Sequence, residues 1–97
     1  MKGIFVAYDQ AYNMELIEIL EELGCRGFTM WQDIAGRGGF SGEPHLGNHA
    51  WPTMNNAFLA FVQDEKVDAI LDGLRKKDEE TTDLGIRAFV WNVEKFY

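Results

Sequence analysis

The sequence lacks the features that mark secreted, disulfide-bonded or membrane-spanning proteins. Its single cysteine, Cys25, cannot form an intrachain disulfide, and we expect it to be a small core residue rather than a nucleophile. No apolar run approaches the ~18 residues of a membrane-spanning helix, and the apolar run near the N-terminus is too short for a signal peptide. These absences predict a cytoplasmic protein with no direct insertion into a membrane.

Positive charge is also scarce. Lys and Arg number 9 against 16 Asp and Glu, which gives a formal net charge of −7. Nucleic-acid backbones and anionic lipid surfaces attract a basic face, so we expect neither as a partner. The chain also shows no nucleophile beside a base and no carboxylate pair at a useful spacing, and we therefore expect no enzymatic activity.

The apolar residues suffice for one core. The 97 residues, of which 46% are hydrophobic, predict a single domain that covers 1–97. Short apolar runs predict β-strands over 4–8, 26–34, 55–63 and 86–93. Between the strands, two amphipathic stretches predict helices, with 78–83 as an acidic turn after the second.

Capping residues help to place the two helices. Asn13 is the predicted N-cap of the first helix and Asp64 that of the second, while Gly24 suits the position after the first helix, where φ is often positive. Apolar residues recur at helical spacing in both stretches. These predicted core residues are Leu16, Ile19, Leu20, Leu23, Val67, Ile70, Leu71 and Leu74.

The order β-α-β, long loop, β-α-β predicts an α+β, ferredoxin-like βαββαβ fold, with an antiparallel four-stranded sheet and two helices on one face. The strands carry large apolar residues on both sides, among them Trp31, Phe89 and Trp91. Two helices cover only one face, and a monomer rarely tolerates a large apolar patch on the other. This pattern predicts a homo-oligomer that assembles through the sheet.

Glycine is concentrated in one stretch. Four glycines fall within seven residues, from Gly36 to Gly42, with Arg37 among them. Such a loop exposes its N–H groups beside a guanidinium, a combination that often holds phosphate. A flexible hairpin end is the alternative, because glycine-rich motifs also occur by accident.

The long loop over 35–54 shows no periodicity and holds both histidines and both prolines. A loop of that length in a compact domain is usually functional. His45 and His49 stand four residues apart with Glu43 close by, so the three could bind a divalent metal such as Zn²⁺, Cu²⁺ or Ni²⁺. The alternative is a polar loop whose histidines bond to backbone or water, since two histidines without a certain third ligand are a weak signature.

Four segments, in the right order and spacing, resemble one family. The segment 13–30, which ends in Gly-Cys-Arg-Gly-Phe-Thr-Met, resembles the first helix and following strand of the PII-like signalling proteins, the nitrogen regulatory protein PII superfamily. Gly36-Arg37-Gly38 resembles the start of that family's T-loop, so 35–54 would be the T-loop equivalent. The segment 64–70 resembles the second helix, and Phe-Val-Trp-Asn-Val-Glu at 89–94 resembles the terminal strand.

The resemblance implies a homotrimer that binds adenine nucleotides, ADP, AMP or ATP, in clefts between subunits. It also implies an unidentified protein target, such as a membrane transporter or an enzyme, that the T-loop contacts. Two parts of the chain would meet the ligand, namely the start of the T-loop with the strand before it and the remnant of the family's phosphate-facing B-loop. The implied ligand-binding residues are Thr29, Gly36, Arg37, Gly38, Gly85 and Arg87.

The sequence departs from the family pattern in several places. Gly38 stands where the family has a glutamine that helps to coordinate Mg²⁺ and 2-oxoglutarate, and 40–54 holds no tyrosine for uridylylation. The B-loop run Gly-Asp-Gly-Lys is replaced by Thr-Asp-Leu-Gly-Ile-Arg at 82–87, and the C-terminal arginines that hold ATP are missing. We therefore expect a divergent member that favours ADP or AMP over Mg-ATP.

A second family leaves another function open. The CutA proteins share the trimeric ferredoxin-like architecture and are linked to divalent metals. A CutA-like metal-binding trimer that uses His45 and His49 is therefore the alternative to a nucleotide-binding regulator.

Overall fold

The computed structural model describes residues 1–37, 44–48, 53–81 and 85–97 of the chain. Within these residues, four β-strands and two α-helices follow the predicted order. A 3-10 turn leads into each helix, Gln10–Tyr12 before the first and Asp64–Lys66 before the second. The elements are β1 (Lys2–Asp9), α1 (Asn13–Glu22), β2 (Thr29–Ile34), β3 (Asn55–Val62), α2 (Val67–Glu80) and β4 (Arg87–Asn92).

The strands form one antiparallel sheet in the order β2-β3-β1-β4. β1 lies between β3 and β4, so that its Val6 is opposite Phe58 on one side and Ala88 on the other. Both helices pack on the same face of this sheet. The predicted α+β, ferredoxin-like fold is therefore confirmed.

The core lies between the two helices and one face of the sheet. Alternate residues of β1, Ile4, Val6 and Tyr8, are fully buried there, because side chains two apart on a strand share a face. The helix residues that complete the core are Leu16, Leu20, Val67, Ile70 and Leu74. All of them belong to the predicted apolar faces.

No helix in the described part of the chain is long and apolar enough to span a membrane.

The opposite face of the sheet, which we call the open face, carries no helix within the described residues. Four large aromatic side chains of this face, Trp31, Phe61, Phe89 and Trp91, are between 43% and 61% exposed. Phe5 lies among them, with its ring centroid 6.3 Å from that of Trp31. The prediction of large apolar residues on both sides of the sheet is therefore confirmed.

Gly3 makes room for one of these aromatic rings. The residue lies between Phe61 of β3 and Trp91 of β4. A β-carbon at this position would lie 2.6 Å from the Trp91 indole. The absence of a side chain at Gly3 therefore lets the indole contact the backbone of the central strand.

The start of α1 differs from the prediction. Asn13 is the first residue of the helix rather than its N-cap, and Asp9 caps the preceding 3-10 turn by accepting from the Ala11 N–H at 2.9 Å. The side-chain oxygen of Asn13 instead accepts from the Tyr8 hydroxyl at 2.6 Å and from Asn56 Nδ2 at 3.1 Å, which occupies both of its lone pairs. The other end agrees with the prediction, since Gly24 follows the helix with a φ of 77°.

The prediction that Asp64 caps α2 is also wrong. Asp64 begins the 3-10 turn, and its carboxylate pairs with the N-terminal amine at 2.8 Å. The hydrogen bond from that amine holds the pKa of the Asp64 carboxyl below its ordinary value. A carboxylate engaged by the chain terminus is no longer the helix cap.

Other boundaries are shifted as well, most of all at the start of β2 and at the end of α2. β2 begins at Thr29 rather than at 26, because the Cys25 N–H first closes the end of α1 by donating to the Leu20 C=O at 2.8 Å. α2 continues to Glu80, into the segment predicted as an acidic turn, since Lys and Glu are good helix formers. These shifts leave the order of elements unchanged.

A buried polar cluster links β2 to α1. Asn56 Nδ2 donates to the Asn13 side-chain oxygen at 3.1 Å, and Asn56 Oδ1 accepts from the backbone N–H of Asp33 at 3.1 Å. Asp33 has a φ of 55° and lies at the irregularity in strand pairing between Trp31 and Ile34. Such a bulge bends its strand, so it sets the direction in which the chain leaves the sheet.

Replacement of Asp33 by valine should lower the free energy of unfolding by about 1–2 kcal/mol, because left-handed backbone crowds a β-branched side chain. Replacement of Gln32 by valine is the matched control, since Gln32 is also exposed on β2, and should change that free energy by less than about 0.5 kcal/mol. Urea denaturation measures both. Equal stability of the two variants would contradict a strained backbone at Asp33.

A second prediction concerns Tyr8. Burial raises its pKa to about 12, against a smaller opposing effect of the neighbouring Asn56 side chain. The pKa in the folded state lies above the ordinary 10.0, so the protonated Tyr8 hydroxyl contributes to the free energy of unfolding. This contribution is complete below pH 10 and is lost as the pH rises toward 12. Urea unfolding at increasing pH should show this fall in wild type and not in Tyr8→Phe. The same pH dependence in both proteins would exclude Tyr8 as its source.

Candidate functional site

A cavity of about 490 Å³ lies on the open face, beside the end of β2. Phe5 of β1 and Phe89 of β4 give it an apolar wall, and Arg37 and Arg87 border it with positive charge. We call it the arginine cavity. Its lining residues are Phe5, Ala7, Ile34, Ala35, Gly36, Arg37, Asn55, Gly85, Arg87 and Phe89.

The chain reaches this cavity directly after the bulge at Asp33. Gly36 pairs with His45 in an isolated antiparallel bridge, in which each N–H donates to the C=O of the other, at 2.8 and 2.7 Å. Asn55, the first residue of β3, contacts both of them. Its Oδ1 lies 2.5 Å from His45 Nδ1, and its Nδ2 lies 2.9 Å from the place of a β-carbon on Gly36. We call Gly36, His45 and Asn55 the loop base.

The second arginine is positioned by the start of β4. The Ile86 N–H donates to Asp78 Oδ1 at 3.0 Å, which ties this strand to the last turns of α2. Gly85 has a φ of 61°, and apart from its chain neighbours no atom of the described residues lies within 4 Å of a would-be β-carbon there. Arg87 Nη1 donates to the Ile86 C=O at 2.8 Å. This contact holds the guanidinium beside its own backbone, at the cavity.

The two kinds of wall favour a ligand of mixed character. Guanidinium groups bind carboxylate and phosphate oxygens through charge-assisted hydrogen bonds. Phe5 and Phe89 offer aromatic surface to a planar ring. In a chain of net charge −7, two arginines at one cavity also offset the repulsion that an anion otherwise meets. The cavity therefore suits an anion that carries an aromatic part.

The structure brings together most of the residues that the sequence predicted as ligand-binding. Those that line the arginine cavity are Gly36, Arg37, Gly85 and Arg87. Thr29 does not line it, because the cavity lies at the other end of β2, beside Ile34. Gly38 lies outside the described residues. Ligand binding by these residues stays a prediction.

The predicted metal site cannot be assembled from the described residues. Glu43 and His49 lie outside them. Among residues 1–37, 44–48, 53–81 and 85–97, no three His, Cys, Asp or Glu side chains form a group that could hold a metal. His45 Nδ1 bonds with Asn55, so a metal would have to bind through Nε2. The CutA-like alternative gains no support here.

Cys25 is a core residue, as the sequence predicted. Its side chain is buried, and this burial raises the pKa of the thiol against a smaller opposing effect of Lys66. The neutral thiol is therefore favoured, and the thiolate that a nucleophile needs is not.

The sequence analysis missed the other six lining residues, among them Phe5, Phe89 and Asn55. Phe5 and Phe89 are cross-strand neighbours, but their register cannot be found from either strand alone. A usable signal was present in β1, where Phe5 alternates with buried Ile4 and Val6 and therefore faces away from the helices. Asn55 gave no signal, because polar residues are common where a loop meets a strand.

Comparison with known proteins supports the family resemblance. The family model for Nitrogen regulatory protein P-II matches residues 1–97. CPII from Thiomonas intermedia K12, a nitrogen regulatory PII-like protein, in its structure with ADP, AMP and bicarbonate, has a TM-score of 0.74 and 18% identity, over 95% of this chain and 88% of that one. The apo form of CPII has a TM-score of 0.72 and 19% identity, over 93% of this chain and 85% of that one.

A PII-like signalling protein from Thermus thermophilus has a TM-score of 0.66 and 23% identity, over 95% of this chain and 85% of that one. A search of curated protein sequences returned no match. At these identities the solved structures show a common fold. The family match extends over every residue, and it agrees with the four resembling segments and with the sheet order. The chain therefore belongs to the nitrogen regulatory protein P-II family, as a divergent PII-like member.

Proposed function

We propose that this chain is a regulatory protein that binds an adenine nucleotide, ADP or AMP, in the arginine cavity. The observation that carries the proposal is the convergence of Arg37 and Arg87 with Gly36 and Gly85 on one cavity that also has an aromatic wall. CPII, which has the same fold, has been solved with ADP, AMP and bicarbonate. The role is regulatory, and no reaction is assigned to the site.

The mixed lining favours a nucleotide over a small anion. Phosphate oxygens would accept from the guanidinium groups of Arg37 and Arg87. Both arginines also make contacts within the protein, but a guanidinium has five N–H donors, so a ligand adds to these contacts or exchanges with them. The adenine ring would pack against Phe5 and Phe89. Bicarbonate alone would use only the cationic wall.

The open face supports a homotrimer. Removal of apolar surface from water contributes about 25 cal/mol per Å², and the exposed aromatic side chains of this face offer such surface. A second copy of the chain presents the same apolar face. The arginine cavity lies on this face as well, so a neighbouring subunit would complete its wall and make it a cleft between subunits. Thr29, exposed on β2, would then reach the cleft from a neighbour.

We also propose that 35–54 is the T-loop equivalent of a single domain and contacts a protein target. Gly36, near the start of this segment, and Asn55, just after its end, both line the arginine cavity. A ligand that contacts the two ends differently in two conformations would shift the population between them. The target, a transporter or an enzyme, would then sense whether the cavity is occupied.

Replacement of Arg37 by alanine should weaken ADP binding by about 10- to 150-fold, the equivalent of about 1.5–3 kcal/mol for a hydrogen bond to a charged group. Arg75→Ala is the matched control, because Arg75 pairs with Asp72 at 3.0 Å on the surface of α2 and does not line the cavity. Calorimetry with ADP, AMP and ATP measures both variants. If none of the three binds to wild type at millimolar concentration, the cavity is not a nucleotide site.

Wild-type protein should have three times the 11.1 kDa mass of one chain in light scattering at micromolar concentration. Trp91→Glu should give monomer or aggregate, because the new charge would be buried between subunits. Met14→Glu serves as the control, since Met14 is 65% exposed on the helix side of the sheet. A monomeric wild type, or a Trp91→Glu variant that remains trimeric, would argue against assembly through the open face.

A further inference from the structure

One carboxamide connects the arginine cavity to the pairing that closes the long loop. Asn55 lines the cavity together with both arginines. Its Oδ1 bonds with His45 Nδ1 at 2.5 Å, and its Nδ2 lies over Gly36. Gly36 and His45 in turn exchange two backbone hydrogen bonds. Asn55 therefore contacts the outgoing and the returning chain at the same level.

We propose that Asn55 is a ligand-binding residue that couples occupancy of the arginine cavity to the pairing of Gly36 with His45. The inference rests on the proposed function, because the ligand is the adenine nucleotide assigned to that cavity. The carboxamide N–H donates to a phosphate oxygen of the ligand while the carboxamide oxygen stays on His45. Binding of the ligand then stabilises the contacts within the loop base.

The donors and acceptors fit this division of roles. A carboxamide oxygen only accepts, so His45 Nδ1 carries the proton and donates to Asn55 Oδ1. Asn55 Nδ2 only donates, and a phosphate oxygen only accepts. The amide nitrogen can approach Gly36 because glycine has no β-carbon. A β-carbon at this position would lie 2.9 Å from the nitrogen. Any larger residue at position 36 would displace the carboxamide from its place between cavity and loop.

Two physical effects transmit the binding of the ligand from the cavity to the loop. A hydrogen bond at Nδ2 polarises the carboxamide and strengthens the bond that its oxygen accepts, as in other hydrogen-bonded chains. The ligand also fixes the side-chain rotamer of Asn55, so the ordering cost of the bond to His45 is already met. Coupling between two binding events is reciprocal. If the ligand stabilises the bond between His45 and Asn55 by some factor, loss of that bond must therefore lower the affinity for the ligand by the same factor.

The first arm of the test is the affinity for ADP, measured by calorimetry. Asn55→Ala should weaken it by about 3- to 10-fold, the usual range for one hydrogen bond. Asn55→Asp should weaken it further, because the variant keeps an oxygen for His45 but sets a negative charge against phosphate. Asn92→Ala is the matched control, since this asparagine lies at the far end of β4, where Lys2 donates to it. It should bind ADP as wild type does.

The second arm is a double-mutant cycle between Asn55 and His45. His45→Ala should weaken ADP binding by about 3-fold in wild type and have no further effect in the Asn55→Ala background, since the two residues act through one bond. His45→Asn should restore wild-type affinity, because its Nδ2 is attached at the same point of the side chain as the histidine Nδ1. A purely structural role for His45 would not be rescued in this way.

The third arm is hydrogen exchange of the His45 amide, which donates to the Gly36 C=O at 2.7 Å. ADP should slow exchange of the backbone amide at position 45 in wild type and in His45→Asn. It should not slow this exchange in Asn55→Ala. Additive effects in the cycle, or unchanged ADP affinity in Asn55→Ala, would overturn the coupling while the nucleotide site stands. If wild type does not bind ADP, the proposed function falls and the coupling with it.

Discussion

Two helices cover one face of a four-stranded sheet and leave the other uncovered, and most of what this protein can do follows from that limit. β1 carries Ile4, Val6 and Tyr8 toward the helices and Phe5 away from them, because consecutive strand residues point to opposite sides. The first set forms the core. The residues of the open face have no such cover within the described chain, and they supply the apolar wall of the cavity and an exposed aromatic surface.

Strand order then decides where the charged groups meet. β2 and β4 are the two edge strands of the sheet, with β3 and β1 between them. Arg37 follows β2 and Arg87 begins β4, yet both line one cavity. Arg37 lies at the cavity shortly after the irregular pairing at Asp33, where the chain leaves β2. Asn56, which is buried, accepts from the Asp33 N–H and donates to Asn13, and these bonds hold the bulge beside the candidate site.

In the proposed function, the loop base is the place where ligand and loop share one residue, Asn55. It consists of two backbone hydrogen bonds between Gly36 and His45 and one side-chain hydrogen bond between His45 and Asn55. A regulator gains from such an arrangement, because modest differences in contact energy are enough to shift a population between two loop conformations. The rigid sheet keeps the two ends of the loop in place while this happens.

The sequence by itself determined the fold class, the order of elements and the core faces of both helices, because apolar periodicity and chain order are local properties. It also singled out Gly36, Arg37, Gly85 and Arg87, through resemblance to a family whose motifs are short and local. Boundaries failed where a side chain had a distant partner. Asn13 and Asp64 looked like caps, but Tyr8 engages the first and the N-terminal amine engages the second.

Only the tertiary structure decided which residues surround the cavity. Phe5 and Phe89 became neighbours through the pairing of β1 with β4, and Asn55 met His45 and Gly36 through the closure of a long loop. Neither contact leaves a trace in the local pattern. Strand register and loop closure are set by packing between segments far apart in the chain, whereas periodicity reports only what each segment buries.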